Sequence, residues 1–136
     1  MKGLVNFREL CQRVLEKDKA IRFAGAATSD GEILATVYRE GLTPLLTSQE
    51  SQLSIMQSLI KMNMGKTLEP KLGKTICIFT EYQNVKTATF ALYNQQTLEQ
   101  EAIVLASFDK SADAYLIIEE KIKPLVRQIR KSIEVA

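Results

Sequence analysis

The spacing of hydrophobic residues changes several times along this chain, and each change marks a new predicted element. Residues 4–17 place apolar side chains three and four positions apart, which is typical of an amphipathic helix. Residues 20–28 and 33–38 alternate as strands, and the turn between them contains Asp30-Gly31, a strong hairpin signal. The first third of the chain is therefore predicted to be a helix followed by a β-hairpin.

A second helix and three further strands are predicted next. Thr47 and Glu50 have the spacing of a capping box, so the helix is expected to begin there, to run to about Met64 and to stop at Gly65. Residues 66–74 are rich in lysine and are predicted to form a solvated loop. The three strands are expected at residues 75–82, 85–93 and 101–108.

The C-terminal segment permits two descriptions. Apolar residues from Ala114 to Ile133 keep helical spacing, which favours one helix from about Ala112 that kinks or restarts at Pro124. The alternative makes residues 115–118 a sixth strand and begins the helix near Pro124.

The element order α-ββ-α-βββ-α predicts an α+β fold with a single five-stranded antiparallel sheet and helices on both faces. Two predicted strands carry apolar runs, at residues 76–79 and 103–105, and such strands need both faces of the sheet to be covered. With 136 residues, of which 46% are hydrophobic, the chain has the size and apolar content of one domain. We therefore expect residues 1–136 to form a single domain.

Composition argues against most catalytic chemistry. The chain has no histidine, so it lacks the usual general base near neutral pH and the usual nitrogen ligand of metals. Serine and cysteine triads that depend on histidine cannot form within it. No phosphate-cradling glycine motif is present either. We expect no enzyme activity, no metal and no cofactor, although a carboxylate or lysine enzyme is a distant alternative.

Charge and hydropathy also restrict the partners. The net charge is +2 and there is no tryptophan, which argues against a nucleic-acid site, and the basic last helix is expected to present a solvated face. No apolar run reaches the roughly 18 residues that span a bilayer. The charged N-terminus does not resemble a signal peptide, so the chain is expected to be cytoplasmic, without a membrane partner.

The two cysteines, Cys11 and Cys77, lie far apart in the sequence, one on the first helix and one in an apolar strand. Such thiols are most often reduced core residues. We expect both to be free, with no metal bound to them.

The second helix carries more apolar surface than one sheet face can cover. Leu53, Met56, Ile60 and Met64 fall on one side of it, and Ile55, Leu59 and Met62 on another. A helix on a sheet needs an apolar stripe of little more than about 100°. A second copy of the chain is the predicted cover, with the strand at 75–82 pairing at the same interface. Burial of the helix by its own chain is the alternative. The candidate dimer-interface residues are Met56, Leu59, Ile60, Met62, Ile76 and Ile78.

The hairpin at residues 23–35, a small-residue strand followed by Asp30-Gly31, resembles the first hairpin of the Roadblock / dynein light chain family, a profilin-like fold with the same element order. Residues 23–46, which include Glu40-Gly41-Leu42-Thr43-Pro44-Leu45-Leu46, are also similar to an uncharacterised family of small archaeal proteins.

The Roadblock resemblance implies the strand order 2-1-5-4-3, with the first and last helices on one face and the middle helix on the other. Roadblock proteins pair through the middle helix and third strand, and they act as scaffolds and regulators of small GTPases. The resemblance therefore implies a homodimeric, non-enzymatic interaction module with a protein partner such as a small GTPase. The alternative is a small-molecule sensor of the profilin-like or PAS-like kind, with a pocket between sheet and helix.

Overall fold

The computed structural model describes residues 6–94, 97 and 99–135, with side chains described up to Arg130. Five strands lie in the described part of the chain, and all of their pairings are antiparallel. They are β1 (Ile21–Thr28), β2 (Ile33–Tyr38), β3 (Cys77–Glu81), β4 (Val85–Tyr93) and β5 (Gln100–Asp109). Their order across the sheet is β2-β1-β5-β4-β3, which confirms the predicted fold class and strand order.

Helices cover both faces of this sheet. α1 (Phe7–Lys17) begins at Asn6, whose side chain accepts a hydrogen bond from the Glu9 amide. α2 (Ser48–Met64) follows the hairpin and is succeeded by a 3₁₀ turn (Gly65–Leu68) and the short helix α3 (Glu69–Leu72). The last elements are α4 (Ala114–Ile117), a π-helical turn (Ile118–Ile122) and α5 (Lys123–Val135).

Each face of the sheet has its own apolar core. α1 and the C-terminal helices bury one face around Phe90, Phe108 and Ile122. α2 buries the other face around Ile55 and Leu105. Among the helices of the described residues, α2 is therefore the one that covers this side of the sheet, as the resemblance implied.

The hairpin between β1 and β2 follows the predicted turn. Gly31 has a φ of +96°, which glycine adopts at little cost, and its amide donates to the Thr28 carbonyl at 3.0 Å. The turn fixes the register in which Ala26 pairs with Ala35.

The predicted loop at residues 66–74 was wrong, because the chain stays helical as far as Leu72. α2 does end at Met64 with Gly65 as its C-cap, as predicted, but Gly65 has a φ of −68°, an ordinary right-handed value, so the chain continues directly into the 3₁₀ turn and α3. The stop is Gly73, with a φ of +83° and an amide that donates to the Glu69 carbonyl at 2.8 Å. Pro70 near the start of α3 fits the preference of proline for the first turn of a helix.

The C-terminal segment is helical from Ala114 to Val135, so the sixth-strand alternative was wrong. Pro124 lies just after the π-helical turn. Because proline has no amide hydrogen and its ring crowds the carbonyl four residues before it, the wider π turn lets the helix continue past it.

Candidate interaction surface

α2 is positioned by the capping box that the sequence predicted. The Thr47 hydroxyl accepts from the Glu50 amide at 3.1 Å, and the Glu50 carboxylate accepts from the Thr47 amide at 2.9 Å. Two amides at the helix start are thereby satisfied, which fixes the point at which the chain turns onto the sheet.

α2 buries one of its two apolar sectors against its own sheet. Ile55, Leu59 and Met62 are 0%, 4% and 2% exposed and pack on β1, β4 and β5. This finding corrects part of the interface hypothesis, because Leu59 and Met62 have almost no surface left to contribute to a second chain. Met56 and Ile78 are half-buried against the same core.

The other apolar sector of α2 faces outward. Leu53, Ile60 and Met64, here called the α2 outer face, are 56%, 57% and 71% exposed. Of the candidate interface residues, Ile60 belongs to this face and Ile76, just before β3, is also exposed. The candidate list omitted Leu53 and Met64, although the helical spacing had grouped both with Ile60.

Exposed apolar side chains are concentrated in one stretch of the chain. Thirteen large apolar residues are exposed in the described part, and all but Tyr115 and Leu116 lie within residues 42–82. The residues of the α2 outer face thus belong to the one stretch of the sequence, residues 42–82, in which most of the exposed apolar side chains occur.

β3 lies at an edge of the sheet. It pairs only with β4 in the described structure, from Cys77 opposite Phe90 to Glu81 opposite Lys86. The backbone groups on its outer side are left to solvent or to another chain. An edge strand of this kind can extend the sheet into a second molecule.

A cleft of about 710 Å³ opens at the N-terminal half of α2. Its walls are α2, the connector at residues 42–46 and the hairpin turn at 82–85. Phe23 and Tyr38 lie at its base with ring centroids 4.9 Å apart, and the buried Tyr38 hydroxyl has no hydrogen-bond partner among the described residues. The apolar side chains of its rim are Leu42, Pro44, Leu45, Leu46, Leu53 and Tyr82.

The two arginines that line this cleft are held by their own chain. Arg22 pairs with Asp109 at 2.8 Å and donates to the Thr43 carbonyl. Arg39 donates to the main-chain carbonyls of Ile21, Leu15 and Asp18. These bonds stabilise the cleft walls and leave little capacity for a bound anion.

The basic C-terminal helix is only partly a solvated face. Lys121 pairs with Asp18 at 2.8 Å on the surface. Arg130, by contrast, is 5% exposed, donates to the Ala91 carbonyl at 2.8 Å and lies 4.4 Å from the Tyr93 ring centroid. Burial lowers the pKa of the Arg130 guanidinium. The expectation of solvation was wrong for this residue, because its guanidinium is turned toward the Ala91 carbonyl and the Tyr93 ring on β4.

The remaining chemistry is sparse. Cys11 and Cys77 are free thiols, and burial raises their pKa to about 12 and about 11. No group of three or more possible metal ligands occurs among the residues that the structure describes. In the same residues, no helix has the length and apolar character needed to cross a bilayer.

Comparison with known proteins gives structural matches only. No protein-family model matches the sequence, and no curated protein matches it. Among solved structures, a Roadblock/LC7 domain from Streptomyces avermitilis superposes with a TM-score of 0.69 at 12% identity, covering 93% of this chain and 97% of that one. The gliding protein MglB from Thermus thermophilus gives a TM-score of 0.68 at 15% identity, covering 100% and 96%.

Two further matches extend this set. A structure described as MglB with tetrameric arrangement has a TM-score of 0.67 at 14% identity, covering 98% of this chain and 93% of that one. MglC from Myxococcus xanthus has a TM-score of 0.59 at 11% identity, covering 93% and 98%. At these identities the likeness concerns the fold, and it extends over nearly the whole of each chain. Element order, sheet order and these superpositions together show that the chain has the fold of a Roadblock/LC7 domain.

Proposed function

We propose that this chain is a non-enzymatic interaction module that forms a homodimer through the α2 outer face and the free edge of β3. The observation that carries the proposal is the exposure of Leu53, Ile60 and Met64 on a helix that has already covered its own sheet. Covering these side chains with a partner would be favourable by roughly 25 cal/mol for each Å² of apolar surface that is removed from water.

The two elements can act together in one symmetric interface. A two-fold axis beside β3 would pair the two edges antiparallel and bring the two α2 helices together on the same face of a joined sheet. Stable interfaces bury about 1,200–2,000 Å² in total. Eleven of the thirteen large apolar residues that are exposed in the described part of the chain lie within residues 42–82 and are available to such an interface. The tetrameric arrangement described for one structurally similar MglB is consistent with self-association in this fold.

The resemblance to Roadblock proteins supports a further protein partner, which we propose to be a small GTPase or a similar regulatory protein. The lack of histidine in the sequence, and of a group of three or more possible metal ligands in the described residues, fits a regulatory module better than an enzyme. Affinity capture by the tagged dimer, with nucleotide added or withheld, tests this part. Enrichment of a nucleotide-binding protein in only one nucleotide state is the expected result.

Light scattering tests the homodimer. We expect a mass of twice the 15.3 kDa chain at high micromolar concentration. Joint replacement of Ile60 and Met64 by glutamate should give folded monomer, because unpaired carboxylates buried at the interface cost several kcal/mol each. A monomeric mass for the unsubstituted chain would reject the proposal.

Matched variants separate the interface from the core. Tyr115 and Leu116 are 74% and 48% exposed but lie away from α2, so their joint replacement by glutamate should leave the dimer intact. Leu59→Glu should instead unfold the chain, because Leu59 is 4% exposed within its own core. Loss of the dimer in the Tyr115 and Leu116 variant would place the interface elsewhere.

The second candidate is a small-molecule sensor, which the cleft beside α2 favours, because about 710 Å³ lies within the volume range of ligand sites. Native mass spectrometry of the purified chain tests it. A small molecule that copurifies stoichiometrically and is lost on replacing Tyr38 by phenylalanine would support the sensor over the scaffold.

A further inference from the structure

The helical extension after α2, residues 65–72, carries apolar side chains that its own chain leaves uncovered. Leu68 and Leu72 are 58% and 76% exposed, and none of the residues in the 3₁₀ turn or in α3 is buried. The cleft beside the start of α2 has the opposite character, because its apolar walls enclose a space that no described side chain fills. We propose that Leu68 and Leu72 of one copy occupy this cleft in the second copy, an inference that rests on the proposed homodimer.

The chain cannot fill its own cleft with this extension. The cleft borders residues 50–57 of α2, whereas the extension begins at the other end of the helix. A helix of 17 residues is about 25 Å long. The extension is also tied down at that far end, because Lys74 pairs with Glu69 at 3.0 Å and Gly65 packs beside Thr75.

An antiparallel pairing of α2 with its copy brings the two features together. If Leu53 lies opposite Met64, or if Ile60 lies opposite its own equivalent, the two-fold axis passes between residues 58 and 60. If the residue count is carried past both ends of α2, through the 3₁₀ turn and α3 of one copy, residue 72 falls opposite residues 45–48 of the other, where the connector meets the start of α2. That stretch contains Leu45 and Leu46, which are 56% and 42% exposed and line the cleft.

Charge on the extension favours the antiparallel arrangement. The extension carries the exposed residues Lys66 and Lys71, while the next lysine along the chain, Lys74, is already paired with Glu69. A parallel pairing would place one extension beside the other and bring these like charges together, which is unfavourable.

Crosslinking of two different chains, each with one introduced cysteine, tests the proposal. Chains carrying Leu72→Cys are mixed with chains carrying Leu45→Cys, both in a Cys77→Ala background that removes the half-buried native thiol, and are treated with a short bis-maleimide. Cys11 is buried and its pKa is about 12, so it should stay unmodified. We expect a covalent dimer containing one chain of each kind, with the Leu72→Cys and Tyr115→Cys mixture as the control that should not crosslink.

The outcomes separate this proposal from the homodimer itself. A dimeric mass by light scattering without the Leu72–Leu45 crosslink would overturn this inference and leave the proposed dimer standing. A monomeric mass would reject both. In a chain that carries both cysteines, a crosslink within one chain would show that the extension folds onto its own cleft. A small molecule retained in the cleft of the purified dimer would assign it another occupant. Either result would overturn the proposal.

A second variant measures the contribution of the contact. Joint replacement of Leu68 and Leu72 by alanine should raise the dimer dissociation constant by about 100-fold or more, because four leucine side chains per dimer lose their burial. The thermal midpoint of the isolated monomer, measured in the Ile60 and Met64 glutamate background, should not change. An unaltered dissociation constant would overturn the proposal.

Discussion

The side chain of Ile55 occupies the space that a side chain on Gly25 would need. A Cβ atom added at Gly25 would lie 2.7 Å from the Ile55 Cδ1 atom, closer than real Cβ contacts allow, and 3.0 Å from the Phe23 Cζ atom. α2 therefore rests directly on the backbone of β1. This contact determines which side of α2 faces the sheet and turns Leu53 and Ile60 outward.

Replacing Gly25 by alanine should destabilise the chain. The added methyl group forces Ile55 away from β1, and overpacking of this kind typically costs about 1–3 kcal/mol of unfolding free energy. Urea unfolding measures the loss. Adding Ile55→Val to the same chain should recover part of it, since a smaller side chain relieves the clash. Equal stabilities of Gly25→Ala and the unsubstituted chain would show that α2 does not press on β1.

Arg130 should contribute to stability from inside the protein. Replacing it by methionine keeps the apolar stem but leaves the Ala91 carbonyl without its donor and removes the contact with the Tyr93 ring. A buried unpaired carbonyl costs about 1–3 kcal/mol, so we expect the unfolding free energy to fall by about that amount. The control is Arg127→Met at an exposed position, which should change the unfolding free energy by less than about 0.5 kcal/mol. A similar effect of the two substitutions would contradict the buried role of Arg130.

The sheet and the start of α2 could be predicted from the sequence because their signals are local. Gly31 and the Thr47–Glu50 capping box act within a few residues, and β2 and β4 begin and end where the pattern predicted. The end of α2 at Gly65 was predicted, but the helical turns at residues 65–72 were missed, because only the backbone angles show that the chain stays right-handed at Gly65 and turns at Gly73.

The candidate interface was predicted less well for a different reason. Helical spacing separated the two apolar sectors of α2, but it does not indicate which sector faces the sheet. That choice depends on Gly25, which lies far before Ile55 in sequence, and on the surface that β1 offers. The burial of Arg130 was missed likewise, because its partners Ala91 and Tyr93 lie on a distant strand.

The thiols should be slow to react in the folded chain. Burial raises the pKa of Cys11 to about 12 and that of Cys77 to about 11, so neither is appreciably ionised at about pH 8, and the thiolate is the reactive form. With Ellman's reagent we expect slow modification of the native chain, Cys77 before Cys11, and rapid modification of both in urea. Cys77→Ala should remove the faster native phase. Two equivalents released at once from folded protein would contradict this prediction.

Asp18 should make stability depend on pH. Its carboxylate accepts from the Lys121 ammonium at 2.8 Å and from the Ala20 amide at 2.9 Å, and these hydrogen bonds lower its pKa below the ordinary value. The ionised form is therefore favoured in the folded state. The stabilisation is fully present above the unfolded-state pKa of about 3.9 and is lost as the pH falls through the folded-state pKa.

Asp18→Asn tests this dependence, because asparagine can still accept from the Ala20 amide but carries no charge to pair with Lys121. At pH 7 the urea midpoint of this variant should lie below that of the unsubstituted chain. The difference between the two midpoints should disappear as the pH is lowered below about 4, because the native carboxylate then also becomes neutral. Lys121→Met removes the same ion pair from the other side, so in that background the effect of Asp18→Asn at pH 7 should be smaller, and added salt should reduce it as well. An equal difference between the midpoints at pH 7 and at low pH would mean that Asp18 stabilises the chain through its packing and hydrogen bonds and not through its charge.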